Sequence, residues 1–365
     1  MRIGRCTGGG LLMLAEQDPV VLLQHAGLNS LTGKTGLAML RHRRGPIVAV
    51  IDPDHAGQRL ETVTGISRSV PVVKDLAEAL PFRPSVAVVG LAPSGGVLPE
   101  ALRSDVLQAL KAGLSVASGL HTHLADDPEL SAAVQPGRWI WDLRSEPKGL
   151  RVAQARAAAL PCKRVLAVGT DMAVGKMSAC LAVHEAALRA GVRSAFVGTG
   201  QAGILISGTG VPLDAVRVDY AAGAVEAAVM EAASTLPDSG LVLVEGQGSL
   251  CHPGSTATLP LLRGSQSTAL LLVHRAQQSC IHRLPEIALP PLKDLIQLCE
   301  GLASIGRPQD AGPPPRVRAV ALNTAHLSAA ECERSSAELS DTLSLPCVDP
   351  IRQGADALLE ALLAS

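Results

Sequence analysis

Aromatic residues are nearly missing from this chain: its 365 residues include two Trp, one Tyr and two Phe. Stacking bases on aromatic platforms, the usual way to hold a single nucleic-acid strand, is therefore almost unavailable. An excess of one charge is missing too, since 32 basic and 33 acidic residues leave a formal net charge of -1. No broad field exists to attract nucleic acid or an anionic membrane, so any anion must be bound locally. The apolar runs LVLV (241–244) and ALLLV (269–273) are strand-sized, and the start of the chain lacks the long apolar core of a signal peptide. The eight cysteines form no C-x-x-C pair, which is the usage of a reducing compartment. These features predict a soluble, cytoplasmic protein with neither nucleic acid nor membrane as partner.

What is present centres on RVLAVGTDMAVGKMS, residues 164–178. Val165–Val168 read as a fully buried parallel strand that stops at Gly169, and the segment after Lys176 carries apolar residues at helical spacing. A strand, a glycine loop, a lysine and a helix together make a phosphate cradle. Backbone N–H groups converge on the anion at the helix start, glycines permit close approach, and the lysine reaches the terminal phosphates. The residues assigned to the nucleotide are Gly169, Thr170, Asp171, Gly175, Lys176, Met177 and Ser178. Met177 stands where the magnesium-binding hydroxyl usually lies, so that role is shifted to Ser178 or lost.

The length suits about two domains of ~150 residues each. In residues 1–150 short strands alternate with helices, which predicts a Rossmann-like parallel sheet, although no G-x-G-x-x-G is present. Gly27, Gly33, Lys34 and Thr35 repeat the spacing of the later loop, but a helix start with a Thr cap is the preferred reading there. Asp52 ends the strand IVAVI, and GLAPSGG with Gly95 and Gly96, together with His121 in SGLHTH, reads as substrate-binding. The prolines and lost strand pattern of 145–162 place the boundary between the two domains.

Residues 151–365 repeat the alternation, with SAFV, VRVDY (216–220), LVLVEGQGSL, TALLLVH and VRAVALNT read as strands. Glu245 ends an apolar strand, where P-loop enzymes place a magnesium-holding carboxylate, and Asp219 is a second candidate at the end of VRVDY. With Ser178 they form the expected Mg²⁺ set. The glycine- and hydroxyl-rich stretch after Glu245 is a ligand loop in which Gly246, Gln247, Gly248 and Ser249 contact substrate and His252 is the candidate acid or base. Lys176, Glu245 and His252 are thus the catalytic candidates. Loops at the strand ends of both domains are expected to share one cleft, and a homo-oligomer is compatible with this reading.

The combination of GTDMAVGKMS, FVGTGQAGILISGTGVPLDAV, DYAAGAVE, VEGQGSLCHP and ALNT, with LTGKTGLAMLRHR, VAVIDPDHAG, VGLAPSGG and SGLHTHLADDPEL before it, resembles the D-glutamate N-acetyltransferase family, formerly a two-domain family of unknown function. The P-loop half is similar to dethiobiotin synthetase. This resemblance implies a Rossmann-like N-terminal domain, a P-loop C-terminal domain, a small amino-acid substrate and a base-reading role for Asn323. The sequence departs from the family in GSTAT (254–258) and in Arg263, where the family tends to place histidine. Acetyl transfer needs no ATP, so the loop either holds the nucleotide part of acetyl-CoA or binds ATP with Mg²⁺ for a kinase- or ligase-type activation. A non-catalytic nucleotide sensor is the remaining reading.

Overall fold

The computed structural model describes residues 14–91 and 98–364. The chain divides into two compact units, residues 1–146 with 201–215, and residues 147–200 with 216–365. No helix among the described residues is long and apolar enough to cross a membrane.

In the first unit, β1 (Val20–Leu23), β2 (Ile47–Ile51), β3 (Val72–Val73), β4 (Val86–Val89), β5 (Ser115–Ser118) and β6 (Ile140–Asp142) form a wholly parallel sheet. The strand order is β3-β2-β1-β4-β5-β6, that of Rossmann-type sheets, and it reverses direction between β1 and β4. VVLL and VAVV are buried at every position, as strands covered on both faces must be. Helices α1 (Lys34–His42), α2 (Leu60–Thr64), α3 (Leu76–Ala79), α4 (Glu100–Lys111) and α5 (Pro128–Ala132) follow successive strands or turns. The core joins Leu23, Ile51 and Val89 from the sheet to Leu102, Val106 and Leu110 of α4.

The second unit opens with β7 (Lys163–Gly169), the glycine loop and α6 (Lys176–Arg189), followed by β8 (Ser194–Val197). Helix α7 (Gln201–Ser207) lies in the segment that packs with the first unit, and α8 (Val218–Ala233) returns to the second. Then come β9 (Leu241–Val244), α9 (Thr258–Ser265), β10 (Ala269–Arg275), a hairpin of β11 (Cys280–Ile281) and β12 (Leu284–Ala288), α10 (Leu292–Ser304), β13 (Arg316–Asn323), α11 (Ala329–Leu343), β14 (Cys347–Val348) and α12 (Asp356–Leu363). The main sheet, β14-β13-β10-β7-β9-β8, is wholly parallel, with β7 between β10 and β9. This central position puts the glycine loop where strand ends from both sides converge.

Two sequence expectations differ from the structure. VRVDY is no strand: Arg217 caps α8, whose alanine-rich run VDYAAGAVEAAVMEAA favours helix over the short β-branched start. Asp219 consequently lies in an exposed first turn and not at a strand end. The helix at 34–42 has Gly33 as its N-cap with no side-chain cap, while Thr35 is buried inside the helix.

Candidate functional site

The loop between β7 and α6 is closed around its own lysine. Gly175 adopts φ 108°, a left-handed conformation that suits glycine, and the next residue begins the helix. Lys176 is 4 % exposed, and its Nζ donates to Asp171 O at 2.7 Å and Met172 O at 3.0 Å. Burial pushes the ammonium down to about 8, against the attraction of Asp171 and Glu245. An anion entering the loop meets a lysine already held at its centre.

Neighbouring elements brace the loop. Asp171 accepts Met172 N (2.6 Å) on Oδ1, and Gln278 Nε2 (2.8 Å) and His282 N (2.7 Å) on Oδ2, which ties the loop to the β11–β12 hairpin. Burial works to raise the Asp171 pKa, but these bonds and the nearby His252 outweigh it and hold the carboxyl below its ordinary value. Asn323 donates to Val174 O at 3.1 Å and accepts Ala325 N at 3.2 Å, so both its polar atoms support the backbone. Ser249 Oγ donates to Thr170 O at 3.0 Å and accepts Cys251 N at 3.1 Å, fastening the glycine-rich loop after β9 to the phosphate loop.

Under Thr170 lies a residue that sequence reasoning missed, because it looks like the end of an apolar strand. His274 is 5 % exposed with Nδ1 3.1 Å from Thr170 Oγ1, and burial pushes it down to about 4. The unfolded chain regains the ordinary value and takes up the proton first. Stability is therefore complete above about pH 6.5 and is lost as pH falls towards 4, by up to about 3 kcal/mol. Melting curves across this window should fall more steeply for the wild type than for His274→Gln, and parallel slopes would refute the neutral-histidine assignment.

Glu245 is the other buried ionisable group here. Its Oε2 accepts Thr199 N (2.8 Å) and Gly200 N (3.1 Å), and burial raises the carboxyl to about 7 despite these bonds and Lys176. Gly246, next in the chain, passes so close to β7 that a Cβ there would stand 1.9 Å from Ala167 O. Gln247 packs beside Gly200, and Gly248 takes φ 65° against Ser255. His252 Nδ1 accepts Gly254 N at 3.0 Å, so in its neutral form the ring proton sits on Nε2.

The residues named for Mg²⁺ stand in different settings. Met177 offers no oxygen, and Ser178 is one position, about 100°, further round the helix. Asp219 is on the exposed start of α8, and Glu245 already accepts two backbone N–H groups. Among the described residues no group of three His, Cys, Asp or Glu could hold a metal ion.

In the first unit the strand-end residues shape a turn. Asp52 is wholly buried, and its carboxylate accepts Ala26 N (3.0 Å), Leu28 N (3.3 Å) and Asp54 N (3.2 Å), so it holds backbone and faces no substrate, contrary to expectation. His25 and Ala26, the residues it restrains, have φ 31° and 55°, and His25 Nε2 lies 2.6 Å from Asp105 Oδ2 on α4. His121 is exposed and held below its ordinary value, chiefly by the Arg144 guanidinium. Gly95 and Gly96 lie outside the described residues. The second glycine–lysine loop is filled by protein: a Cβ on Gly33 would stand 1.9 Å from Gly27 O, Gln24 Nε2 donates to Gly33 O at 2.8 Å, and Thr35 Oγ1 accepts Gln201 Nε2 at 3.1 Å.

A Rossmann-type sheet in one unit and a lysine-centred glycine loop in the other define a two-unit α/β P-loop protein. Residues 151–359 match a family described as a domain of unknown function, DUF1611_C, P-loop domain, and residues 53–146 match its N-terminal partner, DUF1611_N, a Rossmann-like domain. The chain belongs to the DUF1611 family. It is 36 % identical over 315 residues to a D-glutamate N-acetyltransferase of Tritonibacter scottomollicae, covering 86 % of this chain and 91 % of that protein. A D-glutamate N-acetyltransferase of Pseudoalteromonas sp is 33 % identical over 289 residues, covering 79 % and 84 %. The crystal structure of a DUF1611 family protein from Anabaena variabilis superposes with a TM-score of 0.87 at 50 % identity, over 96 % of this chain and 100 % of that one.

Proposed function

We propose that this protein transfers the acetyl group of acetyl-CoA to the amino group of D-glutamate or a closely related amino acid. The observation that carries this reading is the alignment, along most of the chain, with two relatives named for that activity. In this reading the loop 169–176 receives phosphates of the CoA nucleotide. The N–H groups at the start of α6 face the anion, and Lys176 supplies the balancing charge. Glu245 holds the turn at Thr199–Gly200. His252, with its proton on Nε2, serves as a hydrogen-bond donor to phosphate or to the carbonyl oxygen as it gains charge, and not as a base. No step in this reading requires Mg²⁺.

Mass spectrometry of D- and L-glutamate and other amino acids, incubated with acetyl-CoA, with ATP and Mg²⁺, or with both, tests this. Acetylated D-glutamate formed without ATP, at a rate unchanged by EDTA, is expected. Product that appears only as ATP is consumed would replace this reading with an ATP-driven activating enzyme. Nucleotide bound and never turned over, with no acetylation of any acceptor, would leave a sensor.

A further inference from the structure

We propose that the tip of the β11–β12 hairpin is a second anion subsite beside the phosphate loop, in which Arg283 takes the phosphate on the ribose 3′ position of CoA while the loop takes the diphosphate. The assignment rests on the acetyl-CoA reading above, because CoA, unlike ATP, carries a phosphate at that position. Every residue it uses lies in the second unit.

The hairpin is joined to the loop through one residue. Asp171 accepts Lys176 Nζ on its main-chain oxygen at 2.7 Å and His282 N on Oδ2 at 2.7 Å, and Gln278 Nε2 donates to the same carboxylate oxygen at 2.8 Å. Asp171 therefore touches the lysine on one side and the hairpin turn on the other. Strand β10 leads to the same place. It pairs with β7 through Val273 and Gly169, Thr170 N donates to Val273 O at 3.1 Å, and the chain runs on through Arg275 towards the hairpin.

The turn carries a residue that its backbone does not favour. Ile281 pairs with Leu284, so His282 and Arg283 are the two residues of the connection. Arg283 has φ 68°, a left-handed conformation, at the second position, where glycine or asparagine is the usual occupant because a larger side chain crowds the backbone. The guanidinium has no protein partner: the residue is exposed, and among the described residues its side chain forms no hydrogen bond or ion pair, even with Glu286, the acidic residue of β12. The Asp171 carboxylate is taken up by the N–H groups of Met172, Gln278 and His282. A strained position filled by an unpaired cation is explained by a ligand that the cation meets. Phosphate suits it, because a guanidinium offers N–H groups to two phosphate oxygens at once.

Arg283→Gly tests the proposal, since glycine suits φ 68° and the variant should fold and melt close to the wild-type temperature. Calorimetry compares CoA with dephospho-CoA, which lacks the 3′-phosphate. The wild type is expected to bind CoA about 10- to 100-fold tighter than dephospho-CoA, and Arg283→Gly to bind the two alike, with its affinity for dephospho-CoA unchanged. Lys176→Ala should weaken both ligands by the same factor and keep the preference, because both carry the diphosphate. If Arg283→Gly keeps the preference, or loses affinity for both ligands equally, the assignment is overturned. A wild type that binds CoA and dephospho-CoA alike overturns this assignment alone. A wild type that binds no CoA overturns the acetyl-CoA reading and this assignment together.

Discussion

Lys176→Ala is expected to weaken binding of acetyl-CoA about 100-fold and to lower kcat/KM by at least as much. The ammonium sits at the centre of the glycine loop on Asp171 O and Met172 O. A charge-assisted bond to a phosphate contributes roughly 1.5–3 kcal/mol, and each 1.4 kcal/mol is a tenfold change in affinity. Stability should not follow the loss, because the ammonium is held down to about 8 by burial and keeping it charged costs the folded state. Calorimetry with CoA, next to a thermal melt, separates the two effects. Unchanged affinity would remove the phosphate role of the loop. Lys34→Ala is the control: Lys34 is exposed and its loop interior is filled, so its loss should leave affinity as it was.

Gly246→Ala should be among the damaging single methyl additions in the second unit. The added Cβ would meet Ala167 O at 1.9 Å and Lys176 Cδ at 2.8 Å. Ala167 lies in β7, paired with β10 on one side and beside β9 on the other, so its carbonyl cannot retreat without disturbing the central strand. A loss of about 3 kcal/mol is expected, read as a Tm lowered by roughly 6–12 °C, together with loss of acetyl transfer as Lys176 is displaced. Gly301 is the counterpart. It lies inside α10, where an added methyl would meet nothing within 4 Å, so Gly301→Ala should leave activity alone and raise stability by roughly 0.5–1 kcal/mol. Equal melting temperatures for the two variants would show that the close approach at Gly246 is not what constrains it.

Much of the architecture could be read because its signals are local. VVLL, IVAVI, VAVV, LVLV and ALLLV are uninterrupted apolar runs of strand length separated by helical patterns, and that alternation permits little besides buried parallel sheets. The glycine loop with Lys176 is likewise contiguous, and Glu245 is exposed to notice by the four apolar residues before it. VRVDY misled for the same reason: five residues looked like a strand, whereas the sixteen from Val218 to Ala233 make a helix.

Partner identity was the hidden part. The sequence does not show that Asn323 braces Val174 O, and Asp52 looked like a cleft residue until Ala26 and Leu28 took its oxygens. Asp171 is tied to Gln278 and His282 more than a hundred residues away, His25 to Asp105 on α4, and 201–215 packs with the first unit although the strands around it belong to the second. Hydrophobic period and loop chemistry act between near neighbours and leave a trace in the order of residues. A buried polar atom takes whichever donor or acceptor the packed chain brings within about 3 Å, and that choice exists only once distant segments have met.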